Sequence, residues 1–317
     1  MNNQKSLLSG YILAAVTIFF WGITFVCTKT LLKDFSALEI LFYRFLAAYI
    51  SLWCMRPKFI KIDKKDNIIF ALSGLSGVVV YQFAENISTI FTTASNVSVI
   101  VSICPLFTAI TAQIFLKEKH VTSWFIAGFI ISLLGVALVS FNGNATLHIS
   151  PKGDLLALCS AISWGFYSLF ISIINKKNYD PICATRRIFF FAVMLMIPLV
   201  LAGYAVNTTG ITGDLAKSMA VTFASSVNIA RFSKPMNVIF LLFLGVIASG
   251  FCFSAWNKAC RIVGTVKISC GLYLIPVVTI ICAYFALGEK ITVMGAAGAL
   301  VTIAGLFISG KTSNKIN

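Results

Sequence analysis

The chain has 317 residues, of which 59% are hydrophobic and only 11% charged, with a mean hydropathy of +0.93. A water-soluble domain carries roughly a quarter charged residues, so a soluble enzyme is excluded. The formal charge of +15 has to be placed along the chain before it is read as affinity for nucleic acid.

The apolar residues come in runs of about 20, the length that carries a helix across ~30 Å of hydrocarbon. In chain order the expected spans are 10–32, 37–56, 68–88, 93–116, 122–141, 153–175, 182–204, 236–257, 264–287 and 291–309. Lys5 precedes the first run, as in a secretory leader, but the run continues to Leu32 and far exceeds the ~7–15 residues of a signal core. Backbone in lipid must satisfy its own hydrogen bonds, so each span is expected to be a helix. The fold class is an all-α integral membrane protein with ten transmembrane helices.

With the N-terminus placed in the cytoplasm, fourteen Lys and Arg fall in inner connections and six in outer ones. The positive-inside rule then puts both termini in the cytoplasm, and the basic balance reflects topology and anionic headgroups rather than DNA or RNA. The expected partners are the lipid bilayer and a small-molecule solute, with no nucleic acid and no cofactor. The nine cysteines lie in or beside apolar spans without a close Cys-x-x-Cys pair or a His cluster. That pattern suggests neither disulfides nor zinc, and buried free thiols are expected.

The second half repeats the first. A shift of 143 lays Gly10, Leu13, Ala14, Trp21, Gly22 and Arg44 on Gly153, Leu156, Ala157, Trp164, Gly165 and Arg187. A shift of 171 lays Asn86, Ser98, Pro105, Ala112, Glu118 and Lys119 on Asn257, Ser269, Pro276, Ala283, Glu289 and Lys290. Two copies of five spans must lie in opposite orientations, because five is odd. The expected domains are two inverted five-helix repeats, 1–142 and 143–317, a plan of transporters that rock around a central site. The difference between the shifts is an insertion, centred on a polar outer loop at about 205–235. Gly128 and Gly135 recur as Gly298 and Gly305, two turns apart. They are open to close packing within one chain or to a homodimer seam.

The Trp-Gly pairs at Trp21 and Trp164, Arg44 and Arg187 early in helices 2 and 7, and Pro105 and Pro276 midway along helices 4 and 9 belong to one pattern. So do the Leu-x-Glu-Lys endings at Leu116–Lys119 and Leu287–Lys290. The chain resembles EamA-type transporters of the drug/metabolite transporter superfamily, over nearly all of residues 7–310. The resemblance implies helices 1–4 and 6–9 around a central cavity, with helices 5 and 10 at the periphery. It brings no substrate with it, and the 205–235 loop departs from the family's more compact pattern.

An ionisable group inside a span is costly and marks a functional candidate. Glu85 is the only acid well inside a span, near the outer end of helix 3 and one turn past Tyr81. It is placed to pair with Arg44 or Lys29 in an outer gate, or simply to reach the headgroups while Arg44 snorkels. Lys267, one turn into helix 9 from the cytoplasm, and Arg186 suit an anion-attracting inner vestibule or plain interfacial anchoring. Arg187 matches Arg44 and reads as a structural charge, and Asp180 is the only obvious acid near these inner bases. Among the mid-span aromatics, Trp21 and Trp164 are related by the repeat and read as helix packing. Tyr81, Trp256 and Tyr167 have no like partner and read as solute contacts. Thr24, Ser95, Asn96, Ser98 and Ser269 offer hydrogen bonds to a substrate. Pro105 and Pro276 each remove a backbone donor and bend a helix, and so read as hinges.

No nucleophile elbow, phosphate loop or acid pair is present, and His120 and His148 fall in connections on opposite sides. The expected function is a plasma-membrane secondary transporter, exporting amino acids or related metabolites by alternating access. The alternatives are export of hydrophobic drugs or nucleoside-like solutes and, from another class, a membrane-embedded enzyme or sensor.

Overall fold

The computed structural model describes residues 2–91, 97, 100–141, 150–209, 229–287 and 292–310. The described residues are mostly helical, with no strand among them. Helix α1 is Asn2–Leu31 and α2 is Ala37–Met55. The latter begins at a capping box in which Ser36 and Glu39 bond each other's backbone N–H, at 3.1 and 2.8 Å. Helix α3 is Lys64–Phe91, α4 is Cys104–Phe115 and α5 is Ser123–Phe141. Helices α6 (Pro151–Lys176), α7 (Pro181–Thr209) and α8 (Pro235–Val263) each open on a proline, whose missing N–H costs nothing in a first turn. Gly264, at φ 107°, lets the chain reverse into α9. That helix runs as Thr265–Ser269, a 3-10 stretch Cys270–Leu274 and then Ile275–Leu287. Helix α10 is Val293–Gly310.

Among the described residues, eight helices are long and apolar enough to cross a bilayer: α1, α2, α3, α6, α7, α8, α9 and α10. Cys104–Phe115 and Ser123–Val139 are apolar too, but shorter. The expected span 93–116 does not run as one helix. Its chain turns at Ser102 and Ile103, and Pro105 then sits in the first turn of α4. Pro276 likewise follows the 3-10 stretch of α9. Both prolines therefore sit just past a break in α-helical hydrogen bonding.

Two π-helical stretches were not legible in the sequence: Leu75–Val80 in α3 and Phe243–Phe251 in α8. The 171-residue offset carries the first onto residues 246–251, inside the second. A π turn widens the helix locally and re-aims its side chains, and such turns concentrate at functional sites.

Helices of one half pack on helices of the other. α1 lies on α8 and α9, and α2 lies on α8; α3 lies on α6 and α7, and α4 on α6. The result is two mixed groups, α1–α2–α8–α9 and α3–α4–α6–α7, joined chiefly where α2 meets α7. Helices α5 and α10 pack closely on each other at one side. A Cβ on Gly135 would stand 2.8 Å from the Gly298 carbonyl oxygen, and one on Gly128 2.7 Å from that of Gly305. The repeated glycines therefore form a seam inside one chain.

The two ends of the bundle are tied differently. The start of α1 and the described end of α10 share one end, and there the Asp66 carboxylate accepts from Lys177 at 2.9 Å and from Tyr179 at 2.8 Å. Arg186 donates to the carbonyls of Arg56 and Lys58 and stacks 3.6 Å from the Trp53 ring centroid. Asp180 pairs instead with Arg56, at 3.5 Å. Beside them Glu118 meets His120 at 3.0 Å and Lys176 at 3.3 Å. Burial works against the Glu118 charge, but His120 and Lys176 outweigh it and hold the carboxyl below its ordinary range. At the other end Arg231 grips Glu39 bidentately, with contacts of 2.9 and 3.1 Å, and Lys234 binds Asp34 at 2.7 Å.

The nine cysteines are all free, and six are buried as expected. Cys54 and Cys159 are exposed and Cys282 is half-buried, because they sit on outward faces of their helices.

Candidate functional site

A small cavity of about 40 Å³ lies between the two mixed helix groups. Trp21, Thr24 and Phe25 of α1, Arg44 of α2, Phe253 of α8, and Leu272, Ile275 and Pro276 of α9 form one wall. Tyr81, Gln82 and Glu85 of α3, Trp164 of α6, and Val101, Ser102 and Cys104 at the approach to α4 form the other. The π stretch in α3 ends at Val80, immediately before this polar run, and the 3-10 stretch of α9 supplies Leu272. Irregular backbone at membrane depth is tolerated where it lines such a cavity.

The charged groups come first. Arg44 is 5% exposed, and its Nε donates to Ser249 Oγ at 2.6 Å while Nη1 donates to Gln82 Oε1 at 2.9 Å. Glu85 lies one turn beyond Gln82 on the same face of α3. One of its carboxylate oxygens, Oε2, is buried without a hydrogen-bond partner. Both side chains line the cavity, yet no ion pair joins them among the described residues. Lys29 is exposed and does not reach the site. The expected Glu85 pair with Arg44 or Lys29 is thus not formed: a neutral amide, Gln82, takes the guanidinium instead.

The aromatic wall is a connected cluster. The Trp21 and Trp164 rings meet edge-on at 5.6 Å, Tyr81 lies 4.9 Å from Trp164, and Phe253 lies 5.4 Å from Trp21. Trp21 is pinned by its Nε1–H, which donates to the Ala248 carbonyl at 2.9 Å. Trp164 Nε1 is buried with no partner. Thr24 also faces the cavity and returns its hydroxyl to the Trp21 carbonyl.

Trp256 and Tyr167 stand behind this wall, each 1% exposed. Trp256 packs 5.1 Å from Trp21, and the Tyr167 hydroxyl donates to Asn257 Oδ1 at 2.9 Å. Asn257 Nδ2 donates onward to Thr185 Oγ1 at 3.1 Å, and Asn175 Nδ2 donates to the Asn257 carbonyl at 3.3 Å. The sequence reading gave Trp256 and Tyr167 to the solute and Trp21 and Trp164 to packing; Trp256 and Tyr167 lie outside the cavity lining, while Trp21 and Trp164 pack on each other and line it as well. Trp21 and Trp164 meet where the two helix groups face each other, and the cavity lies there.

The remaining candidates lie elsewhere. Ser269 is fully buried in α9, its hydroxyl unpartnered, outside the cavity lining. Arg187 binds Asn67 Oδ1 at 2.9 Å and stacks on Phe190 and Phe191 at 5.0 and 4.9 Å, near the end that carries the termini. Lys267 faces a separate groove on the flank of the bundle. Asn96, Ser95, Ser98 and His148 lie outside the described residues, as do Glu289 and Lys290. Gln82 and Ser249 were missed by the sequence reading. Gln82 is one turn from Glu85 on the same helix face, a spacing that could have exposed it, whereas nothing local marks Ser249. No group of three or more His, Cys, Asp or Glu able to hold a metal occurs among the described residues.

Comparison with known proteins agrees with this architecture. A solved crystal structure superposes with a TM-score of 0.71 at 12% identity, covering 97% of this chain and 99% of that one, which establishes a shared fold. An uncharacterized transporter of Archaeoglobus fulgidus is 26% identical over 94% of this chain and 96% of its own length. A protein of Salmonella typhimurium named as a probable amino-acid metabolite efflux pump is 24% identical over 94% of this chain and 93% of its own. The profile of the EamA-like transporter family matches residues 8–141 and 151–310. With its apolar helices, this is a multi-pass membrane protein, and the chain belongs to the EamA-like transporter family.

Proposed function

We propose that the protein is a plasma-membrane secondary transporter that exports amino acids or related metabolites by alternating access. In this reading ten helices form two inverted five-helix repeats, both termini are cytoplasmic, and α4 and α5 span together with the eight longer helices. The matching π stretches, the paired breaks before Pro105 and Pro276, and the family match to each half support the repeat.

One observation carries the functional reading. The central cavity lies on the seam between two helix groups, so rocking one group against the other would open it to either side in turn. Toward the termini the seam is sealed by the Tyr167–Asn257–Thr185 network, and the cavity lies beyond that seal. Glu85 Oε2 offers an acceptor to an ammonium group. The Arg44 guanidinium, held by Ser249 and Gln82, offers donors to a carboxylate. The aromatic wall favours a second reading, export of larger hydrophobic or nucleoside-like solutes, which stack on indole faces.

Counterflow in proteoliposomes, with a panel of amino acids, nucleosides and sugars, tests the proposal. Exchange of amino acids is expected, and exchange of none of the panel would overturn the transport reading. Lys58→Cys and Lys234→Cys should react with an impermeant maleimide from opposite sides of the membrane. Labelling from the same side would overturn the topology.

A further inference from the structure

A second hollow of about 730 Å³ runs along the flank of the bundle between α1, α9 and the end of α10. Its floor is apolar and built partly of small residues. Lys267, Gly271, Leu274 and Val278 succeed one another along α9 at one-turn spacing, with Tyr11 and Ala15 of α1 opposite. At one end, three residues into α9, stands Lys267, its Nζ 6.0 Å from the Tyr11 ring centroid. Every ion pair among the described residues uses other groups, and no carboxylate reaches this ammonium.

We propose that this groove binds an anionic phospholipid, with its phosphate on Lys267 and one acyl chain laid along the α9 face. Length and charge both argue for that occupant. From Lys267 to Val278 is eleven residues, about 16 Å at a helical rise, close to the ~15 Å of hydrocarbon in one leaflet. Lys267 therefore stands at headgroup depth while the apolar floor spans the chain region. A cation at the mouth of a groove between transmembrane helices attracts acidic headgroups. Ala15, exposed and bearing only a methyl group, leaves room along the groove wall, while Gly271 lets Ile18 close onto α9 and form the floor, its absent Cβ falling 2.9 Å from Ile18 Cδ1. Simple snorkelling of Lys267 to the interface would need no groove, so filling the groove at Ala15 would leave lipid retention unchanged. The site lies outside the central cavity, so it stands or falls separately from the transport reading.

Native mass spectrometry of the full-length protein in detergent, titrated with dioleoylphosphatidylglycerol or dioleoylphosphatidylcholine, tests it. The expected result is a preference of roughly five-fold for the anionic lipid, the size of one cation at a membrane surface. Lys267→Gln should bring the two lipids to parity while Lys267→Arg keeps the preference. Ala15→Trp, at an exposed position, should lower retention of both. A preference that survives Lys267→Gln, or equal binding by the unaltered protein, would overturn the proposal. So would displacement of the lipid by millimolar inorganic phosphate, since that would make the lysine a bare anion site with no use for the groove.

Discussion

Arg44 and Gln82 meet at 2.9 Å across the seam between the two mixed helix groups, each at the edge of the central cavity. The arginine belongs with α1, α8 and α9; the glutamine belongs with α3, α4 and α6. A buried guanidinium that borrows its partners from both groups ties the position of one to the other.

Gln82→Leu removes the cross-group acceptor and leaves the buried cation short of one bond. A hydrogen bond to a charged group contributes about 1.5–3 kcal/mol, so thermal unfolding in detergent should show a loss of about 2 kcal/mol. Ser249→Ala should cost a similar amount from the other side. An unchanged melting temperature in both variants would mean that Arg44 is satisfied by solvent in the cavity.

Glu85→Gln should leave the fold intact, because Oε2 makes no hydrogen bond within the protein and the amide oxygen still accepts from the Tyr81 hydroxyl. Counterflow of an amino acid should nevertheless fall at least tenfold, about 1.4 kcal/mol of lost binding or barrier lowering. Unaltered exchange alongside an unaltered melt would remove Glu85 from the transport route.

Gly135→Val tests the α5–α10 seam. The new Cβ would stand 2.8 Å from the Gly298 carbonyl oxygen and beside Thr302, so backbone has to move. Overpacking of this kind costs about 1–3 kcal/mol. Gly310→Ala on the same pair of helices meets nothing within 4 Å and should be neutral. Equal melting temperatures for the two variants would refute the seam.

Asp34 gives a pH dependence of known sign. Hydrogen bonds from Lys234 and Asn237 hold its carboxyl below the ordinary range. A carboxylate lowered on folding stabilises the fold above its unfolded value of about 3.9 and gives that up as pH falls through the folded value. The melting-temperature gap between the unaltered protein and Asp34→Asn should therefore be present at neutral pH and close as pH drops below about 4. A gap constant from pH 7 to pH 3 would show that Asp34 acts through packing alone.

Much of the architecture was legible in the residues because it is written locally. Apolar runs of about 20 residues give helices wherever water is absent, and the ends of α2, α6 and α8 fall within a few residues of the expected ones at Ser36, Pro151 and Pro235. Glu85 stood out as the lone acid in a span, and the repeated glycines announced a close helix seam. The π stretches at Leu75–Val80 and Phe243–Phe251 did not announce themselves, since a shift in backbone register leaves the hydrophobic pattern almost unchanged.

What the chain by itself determined is the character of each helix and the candidates for its polar face, because burial in lipid is decided residue by residue. What only the folded structure decided is which polar groups find each other. Arg44 goes to Gln82 and Ser249, more than thirty and two hundred residues away, rather than to the charge that composition would assign it. Trp21 and Trp164 face the cavity with Trp256 and Tyr167 behind them, and Lys267 is turned to the flank. Those outcomes depend on how helices from the two halves interleave, and that is a property of shape and contact that no single segment encodes.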